Sequence, residues 1–485
     1  MKLAVVVQRY GPSINGGAEL HARYVAERLA RHAEVDVLTT CATDYVTWQD
    51  TLEPGVEQVN GVNVRRFRVG RERSPDEFSR CSERVFRQTH SVADELAWLD
   101  AEGPTSPALV RYLARRSREY DHCVLFSYRY YHAYHGARAA PEKAVLVPTA
   151  ERDPAIGLSI FGPIFRGVRA IMFNSPEERA MIRAVAGIAD DQPSVVVGVG
   201  SEVPAVTDPE RFRRKFGLHE PFAVYVGRVD ANKGCGELFD FFGSYLREGA
   251  GALTLVLIGQ SVLDIPAHPR IRHLGFLDDR DKFDAIAGAE LLIMPSYFES
   301  LSMVALEAWA LGRPVLANGR CDVLKGQCIR SSAGLYYDGR LEFIETLRAL
   351  ERNRWLAATL GRNGRQFFRE HYTWSVIERK YLEMFDRLSR APVARVMERT
   401  AGWFERRRPI CPPSSEVVAS LPAGPSIAPP ASPPDARATE PSPRLASGPP
   451  DPHSVSRSAG GHSRFRRGQH RSRRGGGSSA STRTQ

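Results

Sequence analysis

The sequence lacks several patterns that would assign it to other classes of protein. Its seven cysteines are scattered, no C-x-x-C pair occurs, and Cys321 and Cys328 have no histidine partners nearby. We therefore expect reduced thiols rather than disulfides or a zinc site. No apolar run approaches the roughly 18 residues of a membrane-spanning helix. The apolar stretch at residues 3–7 is too short for a signal peptide, so we expect a cytoplasmic protein.

Two nucleotide-binding signatures are also missing. The glycine loop that contains Gly16 and Gly17 has no G-x-G-x-x-G pattern, which disfavours a dinucleotide site. A second glycine-containing loop, at residues 227–236, lacks the spacing of a Walker A loop, which argues against ATP hydrolysis. Asp279 and Asp281 form an Asp-x-Asp pair of the kind that binds a metal in some enzymes. Because acids are favoured at helix starts, we interpret this pair as a helix N-cap.

Positive charge is concentrated at the C-terminal end. The 485 residues have a formal net charge of +10, and residues 391–485 hold 15 arginines against 6 acidic residues. Pro, Ser, Gly and Arg dominate this segment without apolar periodicity, so a disordered tail is predicted there. Its arginines could contact nucleic acid or anionic lipid through screened charge, but an extension without function is the simpler interpretation. We do not expect nucleic acid as a partner.

The rest of the sequence predicts two halves of alternating strands and helices. In the first half, a buried strand at 3–7, the Gly16-Gly17 loop, a helix over 18–31 and a strand at 35–39 form the usual start of a doubly wound sheet. Residues 76–118 are predicted to be helical and are rich in arginine. They form either a basic surface that touches an acidic membrane or, more simply, a solvated face.

The second half repeats the plan. A strand at 223–226 leads into the loop at 227–236, in which Arg228 and Lys233 could deliver two cations to a diphosphate. Further strands are predicted at 253–258, 270–274, 291–294 and 315–318, with an edge strand at 335–337. Residues 354–390 are predicted to be one long helical stretch.

Two glutamates eight residues apart follow the strand at 291–294. Leu301, Val304 and Ala305 begin a helical apolar spacing that places a helix N-terminus beside Glu299, and Glu307 lies roughly 12 Å further along a helix. A glycosidase pair would be about 5–9.5 Å apart. The wider spacing suits the two ends of one elongated ligand with a diphosphate between them, as in a nucleotide-sugar. Two exposed glutamates on an amphipathic helix remain the simpler alternative.

Taken in this order, the Gly16-Gly17 loop, the Arg228/Lys233 loop and the pair Glu299 and Glu307 resemble a retaining family 4 glycosyltransferase of the glycosyltransferase group 1 type. The resemblance covers about residues 1–390. It implies an α/β chain of GT-B fold, with two Rossmann-like doubly wound domains facing each other across a cleft. The predicted domains are 1–196, completed by a returning helix at about 375–390, and 197–374, followed by the disordered tail at 391–485.

The resemblance also implies roles for individual residues. Arg228 and Lys233 would neutralise the diphosphate leaving group, Glu299 would bind the sugar and Glu307 the ribose. The remaining donor contacts would come from the backbone of Ser300, Leu301 and Ser302, from Gly16 and Gly17, and from Phe276 and Leu277 beside the base. No metal or other cofactor is implied, because two cations and a helix end take that place.

The sequence departs from the family at one loop. Many relatives carry a His-Asp or His-Glu pair in the first domain near the sugar, whereas this chain has Glu151 in the apparent place of the histidine. Either Glu151 makes the sugar contact, or His132, one loop earlier, substitutes for it. A buried structural histidine is the commoner fate of such a residue.

Three functions remain open from the sequence. The first is transfer of a sugar from a nucleotide-sugar donor to a glycan, lipid-linked or other glycoconjugate acceptor in polysaccharide biosynthesis, with peripheral contact to the inner face of the membrane left open. The second is a nucleotide-sugar epimerase on the same fold; a phosphorylase would need a pyridoxal-binding lysine, for which we find no context. The third is a non-catalytic, nucleotide-sugar-binding subunit of a glycan-assembly complex.

Overall fold

The computed structural model describes residues 1–14, 16–249, 251–391, 397–398, 418–419 and 421. Its named helices and strands lie in one compact unit, Met1–Cys411. The disordered tail predicted for 391–485 falls almost wholly outside the described residues. In the described part of the chain, no helix is long and apolar enough to cross a bilayer, and the six cysteines there are free thiols.

Eight short strands form the first sheet. The central strands are largely buried, as expected for a parallel sheet covered on both faces, whereas the two edge strands are not. They are β1 Lys2–Val6, β2 Glu34–Thr40, β3 Gly55–Val59, β4 Val62–Phe67, β5 His122–Phe126, β6 Ala144–Val147, β7 Ala170–Phe173 and β8 Ser194–Val196. Their order is β3-β4-β2-β1-β5-β6-β7-β8, and every neighbouring pair is parallel except β3 and β4, which form an antiparallel hairpin around Asn60-Gly61.

Seven helices accompany this sheet: α1 Gly17–Leu29, α2 Pro75–Arg87, α3 Val92–Glu102, α4 Pro107–Arg116, α5 Tyr131–Ala139, α6 Phe161–Gly167 and α7 Pro176–Ala186. Short 3-10 turns lie at Ser117–Glu119 and Pro154–Gly157. The stretch predicted as helical at 76–118 is three helices, and Gly103 ends the second with a positive φ of 66°. On α4, Leu109 and Leu113 are buried while Arg111 and Arg115 are exposed, which favours the solvated-face interpretation.

The second sheet has six strands, all parallel: β9 Phe222–Val226, β10 Thr254–Ile258, β11 Ile271–His273, β12 Leu291–Met294, β13 Val315–Asn318 and β14 Gly334–Tyr337. Their order is β11-β10-β9-β12-β13-β14, with β14 at the edge as predicted. This is the strand order of a dinucleotide-binding sheet. Successive strands are added on one side from β9 to β11 and on the other side from β12 to β14, so the order reverses between β9 and β12. The boundary predicted at 196 and 197 lies between the last strand of one sheet and the first strand of the next, and it stays a prediction.

In the part of the chain that the structure describes, eight further helices follow: α8 Pro209–Phe216, α9 Cys235–Arg247, α10 Asp279–Gly288, α11 Met303–Ala310, α12 Asp322–Ser331, α13 Arg340–Arg352, α14 Arg354–His371 and α15 Trp374–Arg390. The cap of α10 is Asp278, one residue before the predicted pair, and its carboxylate accepts the N–H of Asp281 at 2.8 Å. The Asp281 side chain binds Arg211 at 2.7 Å and also contacts Lys215. Its carboxylate is therefore committed to two cations rather than open to a metal.

The backbone crosses between the two sheets twice, and the crossings touch. The predicted helical stretch at 354–390 is broken at residues 372–373, where the chain leaves α14 and returns along α15 to pack on α1 and β8. The other crossing leaves β8, and a Cβ at its Gly198 would lie 2.7 Å from the Tyr372 ring. A Cβ at Gly200 would lie 2.6 Å from the Trp374 ring. Side chains at these two glycines would therefore push the crossings apart.

A close backbone contact fixes α11 against α14. A Cβ added at Gly361 of α14 would lie 2.1 Å from the carbonyl oxygen of Gly312, just after α11. We predict that Gly361→Ala lowers the free energy of unfolding by about 1–3 kcal/mol, because the backbone must shift to admit the methyl group. Urea denaturation measures this loss.

Gly243 in the middle of α9 is the matched control. A Cβ there would meet only the end of the flexible Arg247 side chain, at 3.3 Å. Gly243→Ala should be neutral or stabilise by up to about 1 kcal/mol through helix propensity. Equal stability of Gly361→Ala and the wild type would contradict the predicted steric conflict.

Candidate functional site

Two loops of the second sheet meet where its strand order reverses. The first follows β9 and the second follows β12. They touch at Gly234, which has a φ of 72°, and a Cβ there would lie 2.1 Å from the carbonyl oxygen of Pro295. Only glycine permits this approach and this backbone conformation. The carboxyl ends of strands at such a reversal are where doubly wound sheets bind ligands.

An ion pair joins these two loops. The Lys233 Nζ donates to Glu299 Oε1 at 2.7 Å, and the Lys233 backbone N–H donates to Asp230 Oδ1 at 2.8 Å. The Glu299 side chain is only 11% exposed, and that of Lys233 is 33% exposed. Burial favours the neutral amine, but the carboxylates of Glu299 and Glu151 outweigh it and raise the pKa of Lys233. Lys233 therefore carries a firm positive charge beside the loop that follows β12.

Arg228, the other predicted cation, is also paired with an acid. Its guanidinium contacts the Asp230 carboxylate, which is 8% exposed, while the Arg228 side chain itself is 54% exposed. Asp230 thus holds both ends of the loop, through the Arg228 side chain and the Lys233 backbone. Each predicted cation retains an exposed surface that an incoming anion could reach.

Helix α11 begins later than the sequence predicts. Its first residue is Met303, and its cap is Ser302, whose Oγ accepts the Ala305 N–H at 3.2 Å. Glu299 therefore precedes the helix by a polar turn, and the estimate of 12 Å along one continuous helix does not apply. Ser300 and Leu301 lie in that turn, where Ser300 is partly exposed and Leu301 is buried. Glu299 and Glu307 are therefore separated by this turn and the first residues of α11, not by one continuous helix.

Glu307 is buried on α11 with an unsatisfied oxygen. Its Oε1 accepts from the Lys282 Nζ of α10 at 3.2 Å, and its Oε2 has no hydrogen-bond partner. Burial raises the pKa of Glu307, and Lys282 opposes that shift. A buried acceptor without a donor is costly, and a ligand hydroxyl could satisfy it.

The first sheet contributes Glu151 from the loop after β6. Burial is the main cause that raises the pKa of Glu151 to about 7; the Lys233 cation opposes this shift and the Glu299 carboxylate reinforces it. These interactions bring the three side chains of Glu151, Lys233 and Glu299 into one electrostatic cluster. The predicted first-half contact thus faces the predicted second-half site.

Direct contacts also join the two halves. Asn174, just after β7, donates from Nδ2 to Ser300 Oγ at 3.4 Å. Arg152 pairs with Asp322 of α12 at 2.8 Å. Between these contacts lies a narrow cavity of about 70 Å³. Its walls include Ala150 and Glu178 from the first half, and Phe298, Glu299 and Arg320 from the second.

A larger cavity, of about 680 Å³, lies between Tyr24 of α1, the crossing segment after β8 and helix α10. Its walls include Asp279 and Phe283, and the Tyr24 hydroxyl is close enough to Lys282 and Glu307 to sense their charges. Tyr24 thus links this cavity electrostatically to the Lys282–Glu307 pair.

The remaining predicted donor contacts lie at element ends. Gly16 is the N-cap of α1, and a Cβ there would lie 2.2 Å from the Glu19 carboxylate, which pairs with Arg9 at 2.6 Å. Nothing lies within 4 Å of a Cβ at Gly17. In the loop after β11, Phe276 is 64% exposed and Leu277 is partly buried against the core.

His132 does not lie open to a ligand. It is 0% exposed, and its Nε2 pairs with the carbonyl oxygen of Phe126 at 3.0 Å. Burial lowers its pKa to about 4, which keeps the ring neutral. This placement favours a structural histidine and leaves Glu151 as the first-half candidate for the sugar contact.

The second sheet matches a known family. Residues 220–348 match the model described as glycosyl transferases group 1. This segment carries the sequence pattern of the glycosyl transferases group 1. One curated relative, the D-inositol 3-phosphate glycosyltransferase of Corynebacterium efficiens, is 31% identical over 175 residues, which are 31% of this chain and 40% of that relative. An uncharacterized glycosyltransferase of Methanocaldococcus jannaschii is 23% identical over 360 residues, 67% of this chain and 83% of that relative.

Solved structures share the whole two-sheet architecture. A sucrose-phosphate synthase from Thermosynechococcus elongatus superposes with a TM-score of 0.59 at 17% identity and covers 81% of this chain and 100% of that chain. HepE of Anabaena, solved in complex with UDP, also has a TM-score of 0.59 at 17% identity, over 80% of this chain and 100% of that chain. At this identity the likeness concerns the fold, and it confirms the predicted GT-B class.

Sequence reasoning missed several residues that hold this site together. Asp230 lies inside the predicted cation loop at 227–236 but has no role assigned from the sequence, and Lys282, Asn174 and Glu178 have none either. Asp230 had a local signal, since an acid between two cations in a glycine loop is a natural partner for both. The other three act through residues far away in the chain, and no local pattern marks them. In the described part of the chain, no group of three or more His, Cys, Asp or Glu side chains could hold a metal ion.

The raised pKa of Glu151 predicts a pH-dependent stability. The folded chain holds this proton more tightly than the unfolded chain, since the pKa moves from 4.5 to about 7. The neutral side chain therefore stabilises the fold at low pH, and this contribution is lost as pH rises through about 7. Between about pH 5 and pH 8, the wild type should lose up to ~3 kcal/mol relative to Glu151→Gln.

Urea denaturation of both proteins at several pH values measures this difference. Other titrating groups are common to both proteins and largely cancel. A difference in stability that stays constant from pH 5 to pH 8 would show that Glu151 is solvated like an ordinary glutamate.

Proposed function

We propose that this chain is a glycosyltransferase that moves a sugar from a nucleoside-diphosphate-sugar to a hydroxyl-bearing acceptor with retention of anomeric configuration. The observation that carries the proposal is the Lys233–Glu299 ion pair, which lies at the strand reversal of the second sheet and faces Glu151 of the first. A cation, a sugar-binding carboxylate and a second carboxylate from the opposite sheet are the groups that such a transfer needs on either side of a cleft.

The donor would lie along the second sheet. Its diphosphate would take the exposed faces of Arg228 and Lys233, and its ribose hydroxyls would satisfy the open Oε2 of Glu307. The base would lie near the backbone of Phe276 and Leu277. The Ser300–Ser302 turn and the Gly16-Gly17 loop would offer N–H groups to phosphate and sugar oxygens. HepE, which shares the fold, was solved with UDP, which supports a nucleotide as part of the ligand.

The chemistry would consist mainly of positioning and charge stabilisation. The acceptor hydroxyl oxygen forms a bond to the anomeric carbon while the bond from that carbon to the phosphate oxygen breaks. The leaving nucleoside diphosphate keeps the electron pair and takes the acceptor's proton, and Lys233 and Arg228 neutralise its developing charge. No enzyme nucleophile and no metal enters this scheme. Glu299 and Glu151 would orient the sugar through its hydroxyls.

The acceptor would enter from the first half, whose loops beyond β5 and β6 border the cleft. A glycan or a lipid-linked glycan is the proposed acceptor class, in the cytoplasm and with a peripheral membrane contact if the acceptor is lipid-linked. The exposed arginines of α4 offer a cationic surface for anionic headgroups, although the exposed apolar residues of this helix are only the small Ala108 and Ala114.

One observation favours a second function. Both predicted cations are paired with protein acids, Arg228 with Asp230 of its own loop and Lys233 with Glu299 of the facing loop, and the family's histidine is replaced by Glu151. A chain that binds a nucleotide-sugar without turning it over would tolerate both features. This non-catalytic binding subunit is the alternative against which transferase activity is tested.

Incubation with radiolabelled UDP-, GDP- and ADP-sugars separates the two functions. We predict release of nucleoside diphosphate that rises when an acceptor glycan is added. Tight donor binding without release would favour the binding subunit, and conversion of the donor to an epimeric sugar would favour an epimerase. The binding step is measured by calorimetry on the same protein.

Lys233→Ala and Glu299→Ala test the ion pair directly. Each should lower turnover by about 10²–10³-fold, because leaving-group charge or sugar orientation is lost. Circular dichroism should show an intact fold. Arg379→Ala removes a comparable charge from an exposed pair with Glu383 on α15 and should leave turnover unchanged. Wild-type rates in either ion-pair variant would remove that residue from the site.

A further inference from the structure

A buried glutamate on α7 lies directly behind the first-half face of the cleft. Glu178 is the third residue of this helix and is 1% exposed. Its backbone N–H donates to Ser175 Oγ at 3.1 Å, so it belongs to the capped first turn. Burial of a carboxyl group is unfavourable unless hydrogen bonds compensate for the lost water. The partners of Glu178 are therefore informative.

Its two carboxylate oxygens accept from two different loops. Oε1 accepts the Ala150 N–H at 2.5 Å, in the loop after β6. Oε2 accepts the Asn174 N–H at 2.5 Å, directly after β7. A single side chain with two acceptor oxygens thus fixes the ends of two neighbouring strands relative to each other. An amide side chain cannot do the same, because it has one acceptor oxygen and one donor nitrogen.

Both loops lead to the cleft. Ala150 precedes Glu151, the first-half carboxylate that faces Lys233 and Glu299. Asn174 reaches across the cleft with its own side chain to Ser300, the neighbour of Glu299. Glu178 therefore holds two first-half groups in place against the Glu299–Ser300 turn of the second half.

The residue before Glu178, in the same helical turn, contacts the second half. Glu177 pairs with Arg330 of α12 through both carboxylate oxygens, one of them at 3.0 Å from Arg330 Nη2. Glu177 points to α12 and Glu178 points to the loops, so the start of α7 is fixed on both sides. Movement of this turn would displace Glu151 and Asn174 together.

We propose that Glu178 is a positioning residue that sets Glu151 and Asn174 against the Glu299–Ser300 turn, and thereby sets the geometry of sugar transfer. This inference rests on the proposed transferase function. Glu178 itself touches no substrate in this scheme and acts through the backbone N–H groups that it binds.

Glu178→Gln is the test variant, because it preserves side-chain volume and removes one acceptor. We expect kcat to fall by about 10–100-fold, since small misplacements of reacting groups cost this much, while the donor Kd stays within about threefold. In a Glu151→Gln background, the further loss from Glu178→Gln should be much smaller, because the two residues act through the same position.

Glu95→Gln is the matched control. Glu95 is also a buried glutamate of the first half, 5% exposed, and its Oε2 accepts the Ile160 N–H at 3.0 Å and the Ser159 hydroxyl at 2.8 Å. Glu95 lies on α3, and the segment that it binds, Ser159–Ile160, does not line the narrow cavity described above. Glu95→Gln should lower thermal stability about as much as Glu178→Gln does and should leave kcat unchanged.

Amide hydrogen exchange at Ala150 and Asn174 gives a readout that does not depend on turnover. Both amides should exchange faster in Glu178→Gln and at wild-type rates in Glu95→Gln. If the wild type turns over no donor, the transferase proposal fails, while the exchange rates still decide whether Glu178 holds the loops. If the wild type is active and Glu178→Gln keeps its kcat, the positioning role is overturned and the transferase proposal stands.

Asn174→Ala tests the same linkage if Glu178→Gln does not fold. It keeps the backbone N–H that Glu178 binds and removes only the bond to Ser300. A fall in kcat of about tenfold, with unchanged exchange at Ala150, is expected from loss of this one contact. Wild-type kcat in Asn174→Ala would overturn the link between Glu178 and the Ser300 turn.

Discussion

The contact on which the site depends is the ion pair between Lys233 and Glu299. It exists because two parallel strands, β9 and β12, end side by side where the strand order of the sheet reverses, and because Gly234 lets one loop lie against Pro295 of the other. A side chain at position 234 would separate the loops, and the pair could not form. Asp230, Ser300 and the first-half residues Glu151 and Asn174 are arranged around this contact.

The charges of the site are balanced within the free protein. Lys233 has Glu299, Arg228 has Asp230, and Lys282 has Glu307, so each predicted cation lies beside a carboxylate. An incoming diphosphate would bind cations that are already paired with protein carboxylates. The net attraction for a donor then depends on how far each carboxylate turns from its cation toward the sugar or ribose hydroxyls. Binding of the sugar and binding of the ribose are therefore coupled to binding of the diphosphate.

Much of the fold could be predicted from the sequence because its strands are short apolar runs that end at glycine- or proline-containing loops. Buried parallel strands are predicted by the apolar runs at 3–7, 223–226 and 291–294. The loops after these strands contain most of the predicted site. Helix limits were less predictable. The break at residues 372–373 depends on packing against a distant crossing, and α11 starts at Met303 because Ser302 caps it. His132 and Glu178 show the same limit for single residues, since only the folded chain shows that one is enclosed in the core and the other holds two distant loops.

The paired crossings at Gly198–Gly200 and Tyr372–Trp374 constrain how the two halves can move. Two covalent connections that lie side by side act as one pivot, since translation of either half would stretch or compress both. Rotation about the line that they define changes the length of neither connection, so the two crossings restrict translation more than rotation. Bulkier residues at Gly198 or Gly200 would alter the angle at which the two halves meet without changing any residue of the site.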